Sequence, residues 1–133
     1  MKTIAQKVSA QRTLQGVETM SYTFDATGRS LGRVASEAAS ALLGKKSAHY
    51  VQNFVLPVEV TITNVSKLAM TERRIAGKDY THYTGYPGGL RTTSLTMLRD
   101  KKGIEEVMRR AVDGMIPRNK LRKDRMKRLT ITV

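Results

Sequence analysis

The stretch SYTFDATGRSLGRVASEAASALLG, residues 21–44, predicts a strand, a tight turn and a helix in direct succession. Tyr22 and Phe24 alternate with polar residues, which is the two-residue period of a strand. The apolar residues that follow lie on one helical stripe, namely Leu31, Val34, Ala35, Ala38 and Leu42. Ser30 is suited to cap this helix and Gly44 to end it. A strand that leads directly into a helix indicates an α/β fold.

Further strands and helices follow along the chain. The segment VEVTITNV, 58–65, has the strongest strand pattern, and LTITV, 129–133, predicts a closing strand. The segment GIEEVMRRAVDGM, 103–115, predicts an amphipathic helix whose apolar face is Ile104, Val107, Met108, Ala111 and Met115. Between them, TERRIAGKD, 71–79, has the composition of a polar connection. The alternation of helices and strands favours α/β layers.

The length of 133 residues fits one domain, and a hydrophobic fraction of 40% is sufficient for a core. Residues 1–20 lack sustained periodicity and are rich in polar residues, so we interpret them as an extended N-terminal arm. Residues 21–133 are then predicted to form one α/β domain, and the charge of the chain indicates what this domain binds.

Charge is the unusual property of the composition. Twenty-four Lys and Arg stand against eleven Asp and Glu, which gives a formal net charge of +13. A polyanionic partner would relieve the resulting self-repulsion, with nucleic acid the first candidate and an anionic membrane the second. No apolar run approaches the ~20 residues that cross a bilayer, and the first residues do not form a signal peptide. A cytoplasmic protein without a membrane partner is therefore predicted.

The residues that usually hold metals, cofactors or nucleophiles are scarce. Cysteine is absent, and His49 and His82 cannot make a zinc site alone. The turn at 24–33 lacks the GxGxxG spacing, and GKKS, 44–47, ends a helix where a phosphate-binding loop would begin one. We expect no cofactor, no metal, no catalytic residue and no small-molecule substrate. A small nucleotide-dependent or RNA-modifying enzyme that uses the turn at 24–33 stays as an alternative, as does a regulatory RNA- or DNA-binding module.

Two basic segments are the first candidates for RNA contact. Four cations bracket the first helix, namely Arg29, Arg33, Lys45 and Lys46. Seven more crowd residues 118–128, namely Arg118, Lys120, Arg122, Lys123, Arg125, Lys127 and Arg128. Only Asp124 offsets these seven, whereas an ordinary surface mixes the two signs. A phosphate backbone favours such density, because each neutralised phosphate releases counterions.

The segment YTHYTGYPGGL, 80–90, concentrates rings and glycines in a chain that is otherwise poor in aromatic residues. Gly88 and Gly89 let backbone amides approach phosphates without obstruction. The rings and the following cation can contact unpaired bases, ribose and phosphate, namely Tyr80, His82, Tyr83, Tyr86 and Arg91. Each tyrosine can equally pack the loop onto the core. Both roles stay open at this point.

Three ordered motifs resemble one protein family. YTFDATGRSLGRVASEAASALLGK, YTHYTGYPGGLR and AVDGMIPRNKLRKDRMKRL are similar, in this order, to segments of the L-thirteen family of large-subunit ribosomal proteins, bacterial type. The resemblance runs from about Tyr22 to Val133. The chain is somewhat divergent, because Ser21 stands where the family usually has tryptophan and Arg122 where it usually has glycine.

The resemblance implies a single three-layer α/β domain, with a central, mainly parallel sheet of about four strands and helices on both faces. It also implies a structural protein of the cytoplasmic ribosome without enzymatic activity. Such a protein would bind large-subunit ribosomal RNA early in assembly and contact neighbouring large-subunit ribosomal proteins. By position, the cations around the first helix, the ring-glycine segment and the cations after Pro117 would face RNA.

Overall fold

The computed structural model describes residues 18–133, and residues 1–17 of the predicted arm lie outside this range. The strands are β1 (Met20–Asp25), β2 (Val58–Thr63), β3 (Asp79–Tyr83), β4 (Leu90–Ser94) and β5 (Leu129–Ile131). The helices are α1 (Leu31–Leu42), α2 (Glu72–Gly77), α3 (Leu95–Lys102), α4 (Ile104–Met115) and α5 (Leu121–Met126). A 3₁₀ turn spans Val65–Lys67.

A parallel sheet of order β1-β2-β5 organises the domain. Tyr22 lies beside Val60, which in turn lies beside Leu129. Helix α1 belongs to the crossover that parallel pairing of β1 and β2 requires. The α/β class and the parallel sheet are therefore confirmed. In the described residues this sheet has three strands instead of about four, because β3 and β4 pair antiparallel with each other in a separate hairpin.

The two faces of the sheet differ in chemistry. The central strand buries Val58, Val60 and Ile62 on the face that α1 covers, and α1 also contacts α4. The alternate positions are polar and exposed on the neighbouring strands, as at Thr23 and Thr130. Burial of such polar side chains under a helix would cost free energy unless they found hydrogen-bond partners there. Among residues 18–133 the two long helices thus share one face, and the expected layer of helices on the second face is not observed.

Several local predictions need correction. Ser30 occupies the N-cap position of α1, but its side chain makes no capping hydrogen bond. The segment predicted as a polar connection contains α2, which buries no residue, so it has no apolar face for a sequence pattern to reveal. The sequence pattern predicts Met115 on the apolar face of α4, but Met115 is exposed at the end of this helix. Val112, which the pattern did not include, is fully buried.

Gly44 ends α1 as predicted, with a left-handed φ of 81°. An added Cβ would lie 2.5 Å from Leu56 Cδ1, in the buried core. Gly44→Ala should therefore lower the free energy of unfolding by about 2 kcal/mol, through backbone strain and displacement of Leu56. Urea unfolding measures this. Gly32→Ala is the control, since nothing lies within 4 Å of its added Cβ, and an equal loss there would contradict the explanation.

Candidate nucleic-acid interface

The ring-glycine segment 80–90 is not a simple loop but the end of the β3–β4 hairpin. The Thr84 amide donates to the Gly89 carbonyl at 3.1 Å, and the Gly89 amide donates to the Tyr86 carbonyl at 2.9 Å. Positive φ angles occur at two glycines of the turn, Gly85 (90°) and Gly88 (71°). Residues with a Cβ rarely adopt this conformation, so the glycines permit the tight turn.

The tyrosines of the hairpin divide between the two roles that the sequence left open. Tyr80 is half-buried, with Lys78 Nζ 5.4 Å and Arg110 Cζ 5.2 Å from its ring centroid. Burial raises the pKa of the Tyr80 hydroxyl. Tyr83 and Tyr86, in contrast, are 58% and 76% exposed. Tyr80 therefore anchors the hairpin to α4 through packing and cation–π contacts, whereas the other two rings are exposed to solvent.

The four cations around α1 form two groups at opposite ends of the helix. A helix of 12 residues is about 18 Å long, so Arg29 and Arg33 are well separated from Lys45 and Lys46. Lys46 Nζ lies 4.7 Å from the centroid of the Phe24 ring, and Arg33 and Lys45 are exposed. The structure thus places these residues on the surface but does not bring all four to one point.

Arg29 is held in place by a carboxylate of α1. Its two terminal nitrogens donate to Glu37, one of them at 3.1 Å. These hydrogen bonds raise the pKa of the Arg29 guanidinium and lower the pKa of the Glu37 carboxyl. Asp25 fixes the preceding turn by accepting hydrogen bonds from Thr27 and Asn64, and these bonds also lower the pKa of its carboxyl. The cation at the start of α1 is therefore oriented, and its charge is partly compensated.

The cations at 118–128 do not act alike. Arg125 is 2% exposed and donates to the carbonyls of Gln52 (3.4 Å) and Phe54 (3.1 Å). Arg128 donates to the Leu56 carbonyl at 3.0 Å. These two arginines join α5 and β5 to the segment before β2. The sequence analysis predicts that Arg125 contacts RNA. Its guanidinium is instead buried against backbone carbonyls, so we assign Arg125 a role in stabilising the fold.

The other five cations of this segment lie on the surface or near it. Arg122 pairs with Asp113 at 3.3 Å, and Lys127 pairs with Asp124 at the same distance. The remaining three are exposed and form no ion pair with another described residue, namely Arg118, Lys120 and Lys123. Of the cations in this segment, these three are therefore the best placed to bind phosphate.

Two open grooves contain cations that the sequence interpretation missed. One, of about 610 Å³, is lined by Arg109, Asp113, Asn119, Lys120, Arg122, Lys123, Met126 and Lys127. The other, of about 520 Å³, is lined by Thr71, Arg73, Arg74, Gly77 and Lys78. Arg109 lies in the predicted amphipathic helix and is not among the candidate RNA-binding residues of the sequence analysis. The adjacent arginines of TERR were a signal for the second groove, but the segment had been interpreted as a connection.

Two further observations limit the kinds of site in the part of the chain that the structure describes. None of its helices has the length and apolar character needed to cross a bilayer. Over the same residues, no three His, Asp or Glu side chains are grouped so that they could hold a metal ion.

Comparison with known proteins decides the family. Residues 19–132 match the family described as Ribosomal protein L13. The chain belongs to this ribosomal protein family. The family match covers all the described strands and helices, so the resemblance noted in the three motifs is confirmed over the whole domain.

Relatives named "Large ribosomal subunit protein uL13" are similar over most of the chain. The protein of Pelobacter propionicus is 42% identical over 110 residues, which cover 83% of this chain and 77% of the relative. That of Geobacter sulfurreducens is 39% identical, with 83% and 76% covered. That of Rubrobacter xylanophilus is 38% identical over 115 residues, with 86% and 80% covered. All three are bacterial, which agrees with the bacterial type inferred from the motifs.

Proposed function

We propose that this member of the L13 family is a structural constituent of the large ribosomal subunit that binds ribosomal RNA and supports early subunit assembly. The names of its relatives and its net charge of +13 support this proposal. One observation carries the RNA-binding part: the end of the hairpin combines the exposed ring of Tyr86 and a glycine turn with the cation Arg91. Rings, bare backbone and positive charge together suit irregular RNA.

The mechanism is electrostatic attachment combined with recognition of shape. Exposed cations neutralise phosphates and release counterions. Tyr86 stacks on an unpaired base, and the amides of the glycine turn donate to phosphate oxygens. Side chains cannot easily enter the deep groove of A-form RNA, so selectivity comes from the shape of loops. The proposal assigns no catalytic residue, no cofactor and no small-molecule substrate to this chain.

Co-sedimentation tests this function against its alternatives. A constituent of the large subunit stays with purified large subunits through a salt wash, whereas a regulator outside the ribosome does not. An RNA-modifying enzyme would instead turn over RNA when free of the ribosome. Recovery of the chain only in the unbound fraction, or catalytic turnover by the isolated chain, would overturn the proposal.

The glycine turn provides a specific prediction. An added Cβ at Gly89 would lie 2.9 Å from the Tyr86 carbonyl oxygen and would also collide with the Thr84 side chain. Gly89→Ala should therefore distort the turn and lower the affinity for large-subunit ribosomal RNA by about tenfold. Fluorescence anisotropy with a labelled RNA fragment measures this. Gly114→Ala is the control, since its added Cβ meets nothing within 4 Å and the residue lines neither groove, and equal losses would count against a role for the turn.

A further inference from the structure

The β3–β4 hairpin has two faces, and the outer one points away from the face on which Tyr80 packs toward α4. We propose that this outer face, formed by Asp79, Thr81, Tyr83, Leu90, Thr92 and Ser94, docks an apolar surface of a neighbouring protein. The inference rests on the proposed function, because the neighbour is another protein of the same ribosomal subunit. It goes further in assigning the two faces of one hairpin to two different classes of partner.

The pairing register defines the two faces. Residues directly opposite each other in an antiparallel pair point to the same side, and successive residues of a strand alternate. His82 lies opposite Arg91, and Tyr80 lies opposite Thr93, so these four share the face that packs toward α4. Tyr83 lies opposite Leu90 on the other face. The two faces are therefore set by the backbone and not by the choice of a rotamer.

Charge separates the faces. The inner face carries Arg91 and His82, and Arg110 and Lys78 lie over its Tyr80 ring. The outer face carries no lysine or arginine within the two strands, and its one ionisable group besides a tyrosine is the carboxylate of Asp79. In a chain with a net charge of +13, a face with an acidic residue and no cation is poorly suited to a phosphate backbone.

The outer face also exposes apolar surface to solvent, next to the glycine turn. Leu90 is 64% exposed, and its cross-strand neighbour Tyr83 is 58% exposed. Leucine offers no hydrogen bond and no flat ring to a nucleotide. Its burial by an aliphatic or aromatic side chain of a partner is favourable, because apolar surface is removed from water. Exposed threonines flank the pair at Thr81 and Thr92, as in the polar rim of a protein interface. The chemistry therefore fits a protein side chain better than a base.

Site-specific photocrosslinking tests this assignment directly. The full chain is produced in bacterial cells with benzoylphenylalanine at position 90 or, as a matched control on the inner face, at position 91. Large subunits are then purified and irradiated. We expect the probe at Leu90 to crosslink to a protein of the subunit and the probe at Arg91 to crosslink to ribosomal RNA. Crosslinks from position 90 to RNA, to residues 1–17 of the same chain, to a second copy or to nothing would overturn the proposal.

A pair of substitutions gives a second measurement. Leu90→Thr should lower retention of the chain on salt-washed large subunits by about tenfold, whereas Leu90→Ile should retain it, because only the first removes aliphatic surface. Neither should change affinity for the isolated RNA. Equal retention of both variants, or a loss of RNA affinity in Leu90→Thr, would refute the protein contact. If the wild-type chain itself were missing from large subunits, the proposed function would fail instead.

Discussion

Replacement of Arg118, Lys120 and Lys123 together by glutamine is expected to weaken binding to large-subunit ribosomal RNA by about a hundredfold near 0.1 M salt. These three cations are exposed and unpaired with other described residues, so their charge is free to neutralise phosphates. Each lost phosphate contact removes the release of one set of counterions. The variant should fold normally, because none of the three is buried.

The salt dependence of binding gives the sharper form of this prediction. With six or more phosphate contacts, the wild-type affinity should fall roughly a thousandfold between about 50 and 200 mM salt. The slope of log affinity against log salt should be shallower by about two to three in the triple variant. A filter-binding or anisotropy titration at several salt concentrations measures both. A wild-type affinity that does not depend on salt would contradict the electrostatic account.

The last turn of α3 offers a control of equal charge. Replacement of Arg99, Lys101 and Lys102 by glutamine also removes three positive charges from exposed positions. If RNA binding depends on where the cations lie, this variant should keep most of the wild-type slope of log affinity against log salt. Equal losses in the two triple variants would mean that net charge, and not the segment at 118–123, determines binding.

Arg125→Ala is expected to lower the free energy of unfolding by about 3 kcal/mol. Arg125 is 2% exposed, and its guanidinium donates to the carbonyls of Gln52 and Phe54. The substitution leaves these two carbonyl acceptors without their donor and opens a cavity between α5 and the segment before β2. Because the guanidinium is buried, the salt dependence of RNA binding should not change at temperatures where the variant is folded.

Urea unfolding measures the loss, with two comparisons. Lys123→Ala removes an exposed cation from the same helix and should change the free energy of unfolding by less than about 0.5 kcal/mol. Arg125→Met fills most of the space but donates no hydrogen bond, so its loss should lie between the other two. If Arg125→Ala reduced the RNA salt slope without loss of stability, the structural role assigned to Arg125 would be wrong.

The sequence predicted most of the elements near the core. Strand β1, helix α1, strand β2 and helix α4 were all expected, because their apolar residues repeat with the period of a strand or a helix. Helix α2 was missed, since it buries no side chain and leaves no periodic pattern. The hairpin was predicted as a loop because its residues between Tyr80 and Leu90 are polar or aromatic rather than alternately apolar.

The candidate RNA-binding residues were predicted less evenly. All of them were chosen by residue type and local density, and for Tyr83, Tyr86 and Arg91 the structure shows exposed side chains at one hairpin end. Arg125 had the same local signal as Lys123. The two differ only in the tertiary structure, because the carbonyl partners of Arg125 lie more than seventy residues earlier in the chain.

By itself the sequence determined the family, the α/β class and the excess of positive charge, because these depend on residue order and composition that folding does not alter. Only the tertiary structure decided which cations are free, which tyrosine is an anchor and which face of the hairpin lacks positive charge. Burial and ion pairing join residues that are distant in sequence, as in the contacts of Arg125, so no local pattern contains them.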